Sequence, residues 1–336
     1  MKTNTNPDMN ISPLIDRYGR KIDYLRLSVT DRCDLRCRYC MPKSFKGFEE
    51  PSDWLTFEEI ERVVKLFVRR GTTRVRLTGG EPLLRRHLPM LAERLSHLPG
   101  LEDLSLSTNG TQLVKHAQAL FDAGVKRLNI SMDTLSRECM VRITGRDSMA
   151  DVMAGLDVAQ KVGFTPIKLN MVVMPDVNQS EVQAMAEFCM RRGFILRLIE
   201  TMPMGSTGSA SGYTPLGPII DSLRHKLDLI PEIKTMGGGP ARYWRTRDGV
   251  GQIGLITPIS QHFCDTCNRV RMSVDGTIYL CLGQEEKLEL RPHLRAGATD
   301  VELERLLRQA IELKPERHTF NERPEQVMRF MSQTGG

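Results

Sequence analysis

The amino-acid sequence predicts an α/β fold, namely an incomplete parallel βα barrel of six units followed by a small C-terminal domain. Six strand-like runs alternate with segments of helical period, and these runs begin at Tyr24, Arg74, Asp103, Arg127, Ile167 and Phe194. Strands that alternate with helices form right-handed βαβ units around a parallel sheet. Six units are two fewer than a closed eightfold barrel contains, so we expect the barrel to be incomplete.

The helices between these strands are indicated by their period and their end signals. Segments of helical period cover residues 57–70, 112–122 and 179–192. Thr56 and Glu59 have the spacing of a capping box at the start of the first helix, and Gly71 follows its end. In such folds the chemistry lies at the carboxyl ends of the strands, where the stretches 78–82, 107–110 and 131–133 fall.

The alternation ends after Thr201, which marks the start of a different region. A Gly-, Ser- and Pro-rich stretch at 203–217 is predicted to be a loop. Further strands are predicted at 250–256 and 269–273, and an amphipathic helix at 299–313. We therefore divide the chain into an N-terminal extension (1–20), the barrel (21–202) and a C-terminal region (203–336) that packs against the barrel mouth.

The composition excludes several classes of protein. The chain has 47 basic and 41 acidic residues, a net charge of +6, which suits a polyanionic small molecule. The sequence has no basic stripe with interleaved aromatic residues, which is the pattern that would indicate a nucleic-acid-binding face. Residues 1–20 lack the apolar segment of a signal peptide, and no apolar run is long enough to span a membrane. We expect a cytoplasmic protein, in which cysteines are metal ligands or catalysts more often than disulfides.

The first group of cysteines lies just beyond the first strand. Cys33, Cys37 and Cys40 form a C-x3-C-x2-C pattern. Three thiolates at this spacing can hold three irons of a cubane [4Fe–4S] cluster and leave the fourth iron without a protein ligand. A zinc site with a fourth ligand elsewhere is the alternative, although structural zinc ligands usually come as C-x2-4-C pairs.

The second group, in the C-terminal region, is again a set of three. Cys264 and Cys267 are followed by Cys281, and no fourth cysteine is near. His262 leaves a Cys3His zinc site open as an alternative. Beside a first cluster we favour a second [4Fe–4S] cluster, whose open iron would coordinate a substrate atom. This makes the C-terminal domain a cluster-binding domain.

The first cysteine pattern, placed after the first strand of a βα barrel, resembles that of the radical S-adenosylmethionine superfamily. The resemblance implies that S-adenosylmethionine chelates the open iron and is cleaved reductively to a 5′-deoxyadenosyl radical. It also implies cofactor contacts from Gly80 in the Gly79–Pro82 stretch to the methionine amino group and from Tyr39 near the adenine. Ser131 would meet the ribose or carboxylate, and Met202 would stack on the adenine.

A closer resemblance extends along most of the chain. Its motifs are Leu14-x-Asp16-x2-Gly19-Arg20, Tyr24–Asp31, Arg76–Pro82, Cys264–Arg271 and Gly335-Gly336. Together they are similar to the radical enzymes that cyclise GTP in molybdenum cofactor biosynthesis. The resemblance implies hydrogen abstraction from C3′ of GTP, attack on C8, and a 3′,8-cyclo-7,8-dihydro-GTP product. The product would pass to molybdenum cofactor biosynthesis protein C, an external donor would supply electrons, and the chain would be a monomer or homodimer.

The resemblance also implies the residues that hold GTP. The second cluster would bind the guanine, while cationic and hydroxyl side chains would bind the rest of the nucleotide; these residues are Arg26, Arg76, Ser107, Lys168, Arg269, Val270 and Arg271. Two positions depart from the family, since Ser107 stands where Thr is commoner and Asp34 where Asn is commoner. Gly335 and Gly336 would enter the active site, because a backbone without side chains can thread a narrow channel.

Two other functions are compatible with parts of this pattern. One is a different two-cluster radical enzyme, such as a peptide or sulfatase maturase, although such enzymes tend to carry more C-terminal cysteines. The other is a zinc-stabilised binding module without redox chemistry. A brown protein with broad absorbance near 400 nm would exclude the zinc module.

Overall fold

The computed structural model describes residues 12–41, 51–232, 238–323, 327 and 329–335. Among these residues no helix combines the length and the apolar character needed to cross a bilayer. In this described part of the chain, twelve strands form one sheet in the order β12-β11-β10-β1-β2-β3-β4-β5-β6-β9-β8-β7. The strands are β1 (Tyr24–Ser28), β2 (Arg74–Thr78), β3 (Asp103–Thr108), β4 (Arg127–Ser131), β5 (Ile167–Val173), β6 (Ile195–Glu200), β7 (Leu229–Glu232), β8 (Arg242–Thr246), β9 (Gln252–Ile256), β10 (Arg269–Met272), β11 (Thr277–Tyr279) and β12 (Lys287–Glu289).

The central strands of the sheet are parallel and form the expected incomplete barrel. Strands β1 to β6 are neighbours in chain order, as six βα units require. Two strands of the C-terminal region extend this parallel sheet, because β10 pairs with β1 and β9 pairs with β6. The outer strands are antiparallel hairpin partners. The sheet thus keeps two edges, β12 and β7, and hydrogen bonds do not close it.

The helices lie between these strands. They are α1 (Phe57–Arg69), α2 (Leu88–Ser96), α3 (Leu113–Asp122), α4 (Arg137–Thr144), α5 (Met149–Val162), α6 (Val182–Arg192), α7 (Gly205–Ser209), α8 (Leu216–Leu227), α9 (Arg291–Arg295), α10 (Asp300–Glu312) and α11 (Met331–Thr334). The capping box at Thr56 and Glu59 forms as predicted, and Thr299 with Glu302 makes a second one at α10. Both boxes satisfy backbone N–H groups that a helix N-terminus leaves without partners.

Alternation along the strands separates an apolar face from a polar one. Leu25 and Leu27 of β1, for example, are fully buried and belong to the main hydrophobic core with side chains of the surrounding helices. Arg26, between them, points to the opposite face because successive side chains of a strand alternate. The same alternation continues in β2, where Val75 and Leu77 flank Arg76. The core therefore lies outside the barrel, and the inner face is polar.

The stretch predicted to be a loop at 203–217 is partly helical. It contains α7 and the first residues of α8. In α8, Leu216, Ile220 and Leu223 are buried on one side, and this apolar stripe stabilises a helix that composition alone did not indicate. The division of the chain at residue 202 stays a prediction, since strands from both sides of it share one sheet.

Candidate active site

A cavity opens at the carboxyl ends of the parallel strands. Its empty volume is about 1490 Å³, including the part open to solvent. Cys33, Cys37 and Cys40 line it together with Arg26, Arg76, Arg269 and Arg271, so residues from both ends of the chain meet there. The predicted contacts Tyr39, Gly80, Ser107, Ser131 and Met202 also line it. Most contacts of the two resemblance-based sets thus face one space.

The register of the strands explains why the cations gather. Arg26 lies beside Arg76 in β2 and beside Arg271 in β10, and Tyr24 lies beside Arg269. Residues in register on adjacent strands share a face of the sheet. Four guanidinium groups therefore project into the same part of the barrel, where like charges repel.

Three of these arginines are buried, and some of their nitrogens have no hydrogen-bond partner. Arg26, Arg269 and Arg271 are less than one tenth exposed. Buried nitrogens without a hydrogen-bond partner include Nε and one terminal nitrogen of Arg26 and the Nε atoms of the other two. Burial, with the charges of Arg271 and Arg76, lowers the pKa of Arg26 well below its usual value. Burial, followed by the charge of Arg269, lowers the pKa of Arg271 to about 10. Buried unpaired cations are costly, so the geometry fits a bound polyanion.

Two further cations lie on the same face. Arg197 of β6, which the sequence analysis missed, donates from Nε to Oδ1 of Asn170 at 2.8 Å and from a terminal nitrogen to Asn129. Lys168 lies next to Asn129 in register, and its Nζ is 3.3 Å from the hydroxyl of Tyr243. Burial, and then Arg197 and other arginines, lower the pKa of Lys168 to about 7. The signal that indicated Arg26 and Arg76, a charge inside a strand-like run, was also present at Arg197.

The loop of the first cysteine group is built on two glycines. A Cβ on Gly79 would lie 2.2 Å from the backbone oxygen of Thr30, and one on Gly80 would lie 2.2 Å from that of Arg32. The backbone N–H of Gly80 donates to the Thr30 oxygen at 2.9 Å. Gly79 also has φ +147°, which side-chain-bearing residues rarely adopt. Glycines are therefore required where the chain approaches the cysteine loop.

Glu81 fixes this loop from beneath. Its carboxylate accepts hydrogen bonds from the Leu83 N–H at 3.1 Å, the Thr108 hydroxyl at 2.7 Å and the Asn109 N–H at 2.6 Å. Burial raises its pKa to about 7 although these bonds oppose the shift. The carboxylate connects the end of β2 to the end of β3. This structural role is a sufficient reason for an acidic residue after the two glycines, and no catalytic role is needed to explain it.

The three thiols of the first group fit a cationic metal group. Burial raises the pKa of Cys37 well above its usual value, and the neighbouring Cys40 and Cys33 raise it further. Burial, then Asp133, raises the pKa of Cys40 to about 12. Three adjacent thiols cannot all ionise there without compensating positive charge. The iron ions of an iron–sulfur cluster supply that charge. Within the described residues, no three Cys, His, Asp or Glu side chains are grouped so as to hold a single metal ion. A cubane cluster binds each thiolate through a different iron, so its ligands lie farther apart.

Asp34, the acidic departure from the family, is held by polar partners. Its carboxylate accepts from the Asn109 amide at 2.7 Å and the Thr111 hydroxyl at 2.7 Å, and Arg146 lies 3.7 Å away. The side chain is thus occupied, yet its charge still acts on Cys33 and raises its pKa as one of several causes after burial.

Tyr39 is fixed by a carboxylate behind it. Its hydroxyl donates to Oδ2 of Asp133 at 2.8 Å, and Oδ1 of Asp133 accepts from the Val172 N–H at 2.8 Å. Burial raises the pKa of Asp133 to about 6. The ring of Tyr39 is therefore oriented at the rim of the cavity by β4 and β5, a role for Asp133 that the sequence analysis missed.

The second cysteine group is arranged around the start of β10. The Cys267 N–H donates to the Cys264 oxygen at 3.0 Å within a short 3-10 turn. Burial opposes ionisation of Cys267, but Arg269 and Lys314 outweigh it and lower the pKa of this thiol to about 6. Burial raises the pKa of Cys264 and Cys281. A cluster on these cysteines would lie beside the arginines of the cavity.

Two predicted contacts lie elsewhere than the cavity wall. Val270 is fully buried in the main core, because it alternates with Arg269 and Arg271 and so faces outward. Any substrate contact from Val270 would come from its backbone. Lys168 lies on the inner face but deeper than the residues that line the cavity.

The segment before the predicted tail enters the barrel. Met331 lines the cavity, and Thr334 is fully buried. A Cβ on Gly335 would lie 2.3 Å from Cγ2 of Thr78, the last residue of β2. Gly335 therefore reaches the cavity wall beside the glycine loop, while Gly336 lies outside the described residues.

The fold and this site define a class, the radical S-adenosylmethionine superfamily. The Radical SAM superfamily sequence model matches residues 27–189, and the Molybdenum Cofactor Synthesis C model matches residues 194–320. Membership of the superfamily implies one [4Fe–4S] cluster and S-adenosylmethionine, which the cysteines of the first group and the glycine loop suit.

Close relatives narrow the assignment. A GTP 3′,8-cyclase of Erythrobacter litoralis is 46% identical, covering 98% of this chain and all of that protein. A GTP 3′,8-cyclase of Rhizobium leguminosarum bv. trifolii is 44% identical over 96% of this chain and 94% of its own length. A GTP 3′,8-cyclase of Ectopseudomonas mendocina is 44% identical, covering 98% of this chain and all of that protein. The chain belongs to the GTP 3′,8-cyclase family.

Solved structures agree with the fold. The crystal structure of SuiB from Streptococcus suis has a TM-score of 0.55 to this chain, covering 84% of it and 64% of SuiB, at 13% identity. SuiB bound to S-adenosylmethionine gives a TM-score of 0.53, covering 84% of this chain and 62% of SuiB, also at 13% identity. At this identity the likeness concerns the fold alone.

Proposed function

We propose that this chain is a GTP 3′,8-cyclase, a radical S-adenosylmethionine enzyme that converts GTP into 3′,8-cyclo-7,8-dihydro-GTP in molybdenum cofactor biosynthesis. The main observation behind this proposal is that one cavity is lined both by the first cysteine group and by buried guanidinium groups with nitrogens that lack hydrogen-bond partners. That arrangement puts a site for a polyanion next to a site for a radical-generating cofactor. The near full-length relatives carry the same assignment.

Cys33, Cys37 and Cys40 would hold the first cluster, which would supply the electron for reductive cleavage of the carbon–sulfur bond of S-adenosylmethionine. The chain's own residues bind and orient. Gly80 would present its backbone to the cofactor's methionine end, and Tyr39, fixed by Asp133, would border the adenine. Ser131 and Met202 also line the cavity and would complete the cofactor contacts.

The second cluster is part of the proposal. Its ligands are Cys264, Cys267 and Cys281, and its open iron would hold the guanine base. The cation-lowered pKa of Cys267 supports a ligand that is already a thiolate at neutral pH. Fixing the base there and the triphosphate elsewhere orients the ribose, and such positioning accounts for much of the rate of a well-aligned reaction.

The triphosphate would be held by the inner-face cations. Arg26, Arg269 and Arg271 offer unpartnered nitrogens, while Arg76 and Lys168 add charge from the neighbouring strands. Guanidinium groups bind phosphate through paired hydrogen bonds. Ser107 contributes a hydroxyl at the cavity wall. Gly335, whose backbone packs closely against Thr78, would approach the reacting atoms together with Gly336.

The partners follow from the reaction. An external donor must reduce the first cluster, and the product would pass to molybdenum cofactor biosynthesis protein C. We propose a monomer or homodimer located in the cytoplasm.

The test is anaerobic turnover of the reduced, reconstituted protein with S-adenosylmethionine and GTP deuterated at C3′. We expect mass spectrometry to find deuterium in 5′-deoxyadenosine and chromatography to resolve a product isomeric with GTP. Unlabelled 5′-deoxyadenosine, or none, would refute the proposed site of hydrogen abstraction.

Matched cysteine variants separate the two clusters. Cys33→Ser should abolish 5′-deoxyadenosine, because the cofactor then lacks its cluster. Cys264→Ser should abolish the cyclised product while slow cofactor cleavage survives. The wild-type protein should hold about eight irons, four for each cubane. Zinc in place of iron at the second group would refute the second cluster.

A further inference from the structure

Three buried cations surround the second cysteine group. Arg20, Lys314 and Arg329 are 8%, 2% and 7% exposed, and Arg20 is far in sequence from the other two. None of them lines the cavity. Long cationic side chains are rarely this buried unless they are paired, so each needs a physical reason.

Lys314 joins the segments that carry the last two cysteines, one just before β10 and one just after β11. Its Nζ donates to the backbone oxygen of Arg269 at 3.1 Å and to that of Leu280. Leu280 directly precedes Cys281, and Arg269 lies two residues after Cys267. One ammonium group therefore ties together the segments that present two of the three thiols.

The other two cations hold the remaining backbone in the same way. Arg20 donates to the Cys264 oxygen at 2.8 Å, and Arg329 donates to the Cys281 oxygen at 2.9 Å. Each cysteine segment is thus fixed by a side chain that is remote in sequence. The N-terminal motif that contains Arg20 thereby gains a structural reason.

The charges of the three cations are balanced differently. Arg20 pairs with Asp16 at 2.6 Å, and Arg329 pairs with Glu285 at 2.6 Å. Lys314 makes hydrogen bonds to carbonyl oxygens and no ion pair with a carboxylate of the described residues. A buried ammonium without a counter-charge is unfavourable.

A cluster on these cysteines would lie next to Lys314, because its ammonium group binds the backbone of Leu280, adjacent to Cys281, and of Arg269, two residues after Cys267. A cubane held by three thiolates is itself negatively charged, and the charge becomes more negative on reduction. A fixed cation next to it stabilises the reduced state, because cluster potentials depend on nearby charge and hydrogen bonds.

We propose that Lys314 is a positioning residue that supplies the buried counter-charge of the second cluster and clamps the segments bearing Cys267 and Cys281. The inference rests on the proposed function, since it requires a cluster at these cysteines. It predicts that Lys314 sets the reduction potential of the second cluster and leaves that of the first unchanged.

Three substitutions separate charge from hydrogen bonding. Lys314→Gln keeps a donor but removes the charge, Lys314→Arg keeps both, and Lys314→Met keeps neither. The matched control is Arg70→Gln, which removes a partly buried cation that binds Glu304 of the neighbouring helix α10, away from the cysteines. Each protein is reconstituted anaerobically, its iron is counted, and each cluster is titrated by redox potentiometry with electron paramagnetic resonance.

We expect Lys314→Gln to retain both clusters and to shift the potential of the second one to more negative values. Lys314→Arg should restore the wild-type potential, and Lys314→Met should lose about half of the iron. Arg70→Gln should leave both potentials unchanged. An unshifted second cluster in Lys314→Gln would overturn this inference alone. A wild-type protein with one cluster would instead overturn the second cluster and this inference with it.

Discussion

The depressed pKa of Lys168 predicts that GTP affinity depends on pH. The side chain is 6% exposed, and burial together with Arg197 and other arginines lowers its pKa to about 7. A lysine with a pKa below its ordinary value is neutral above that pH, so the ammonium is present below pH 7 and is lost as the pH rises through 7. Because a triphosphate favours the charged form, binding GTP above pH 7 must be accompanied by proton uptake.

The size of the effect follows from this shift. With a pKa of about 7, the free protein is about nine-tenths protonated at Lys168 at pH 6 and about one-tenth at pH 8. If bound GTP keeps the ammonium fully charged, the Kd for GTP rises about tenfold between these pH values, equivalent to about 1.4 kcal/mol. Affinity is therefore highest on the acidic side.

The assay is equilibrium binding of labelled GTP to the anaerobic, cluster-loaded protein at pH 6 and pH 8 without S-adenosylmethionine. GTP itself loses a γ-phosphate proton over this range, which changes affinity in the opposite direction. Lys168→Arg is the matched control, because a guanidinium stays charged throughout and reports the titration of GTP alone. Dividing the change in Kd of the wild-type protein by that of Lys168→Arg gives the contribution of Lys168. Proton uptake on binding can be measured separately, by calorimetry in buffers of different ionisation enthalpy. Identical pH dependence in both proteins would refute the reasoning.

Three further perturbations test the remaining parts of the site. Arg271→Ala should weaken GTP binding about 10- to 100-fold, the scale of one or two charge-assisted hydrogen bonds, and unchanged affinity in the same binding assay would exclude a phosphate contact. Gly80→Ala should suppress 5′-deoxyadenosine formation, because the new Cβ would lie 2.2 Å from the Arg32 oxygen, whereas Gly217→Ala, with nothing within 4 Å, should retain activity. Deleting residues 335–336 should leave both clusters and most GTP binding intact but lower 5′-deoxyadenosine production, with partial rescue by a peptide ending in Gly-Gly; full activity would show that the tail is dispensable.

Local signals predicted the barrel well, and they also indicated the cysteine ligands, which stay a prediction. The six strands begin within one residue of the predicted starts, since each is a short apolar run bounded by turn residues. The capping box at Thr56 depends only on neighbours three residues apart, and it forms as expected. The cysteine spacing is equally local, so it indicated the first cluster without knowledge of the fold.

Long-range pairing could not be predicted in the same way. That β9 and β10 extend the sheet on opposite sides depends on contacts between residues far apart in sequence, as with Tyr24 and Arg269. Lys314 gave no signal because a lone lysine after an amphipathic helix is ordinarily solvated. Lys314 is buried because the folded chain brings the backbone oxygens of Arg269 and Leu280 to its ammonium group, and the sequence alone does not show this contact.

The places where local rules fail identify the site more sharply than the motifs do. A strand buried on both faces should be apolar throughout, yet Arg26 lies between two fully buried leucines and keeps nitrogens without partners. A chain terminus is ordinarily exposed, yet Thr334 is fully buried and Gly335 closely approaches Thr78. Such exceptions reduce stability unless something compensates. On the proposed function, a bound polyanion would compensate the inner-face cations and the second cluster would compensate Lys314, so ligand and cluster should stabilise the same fold that binds them.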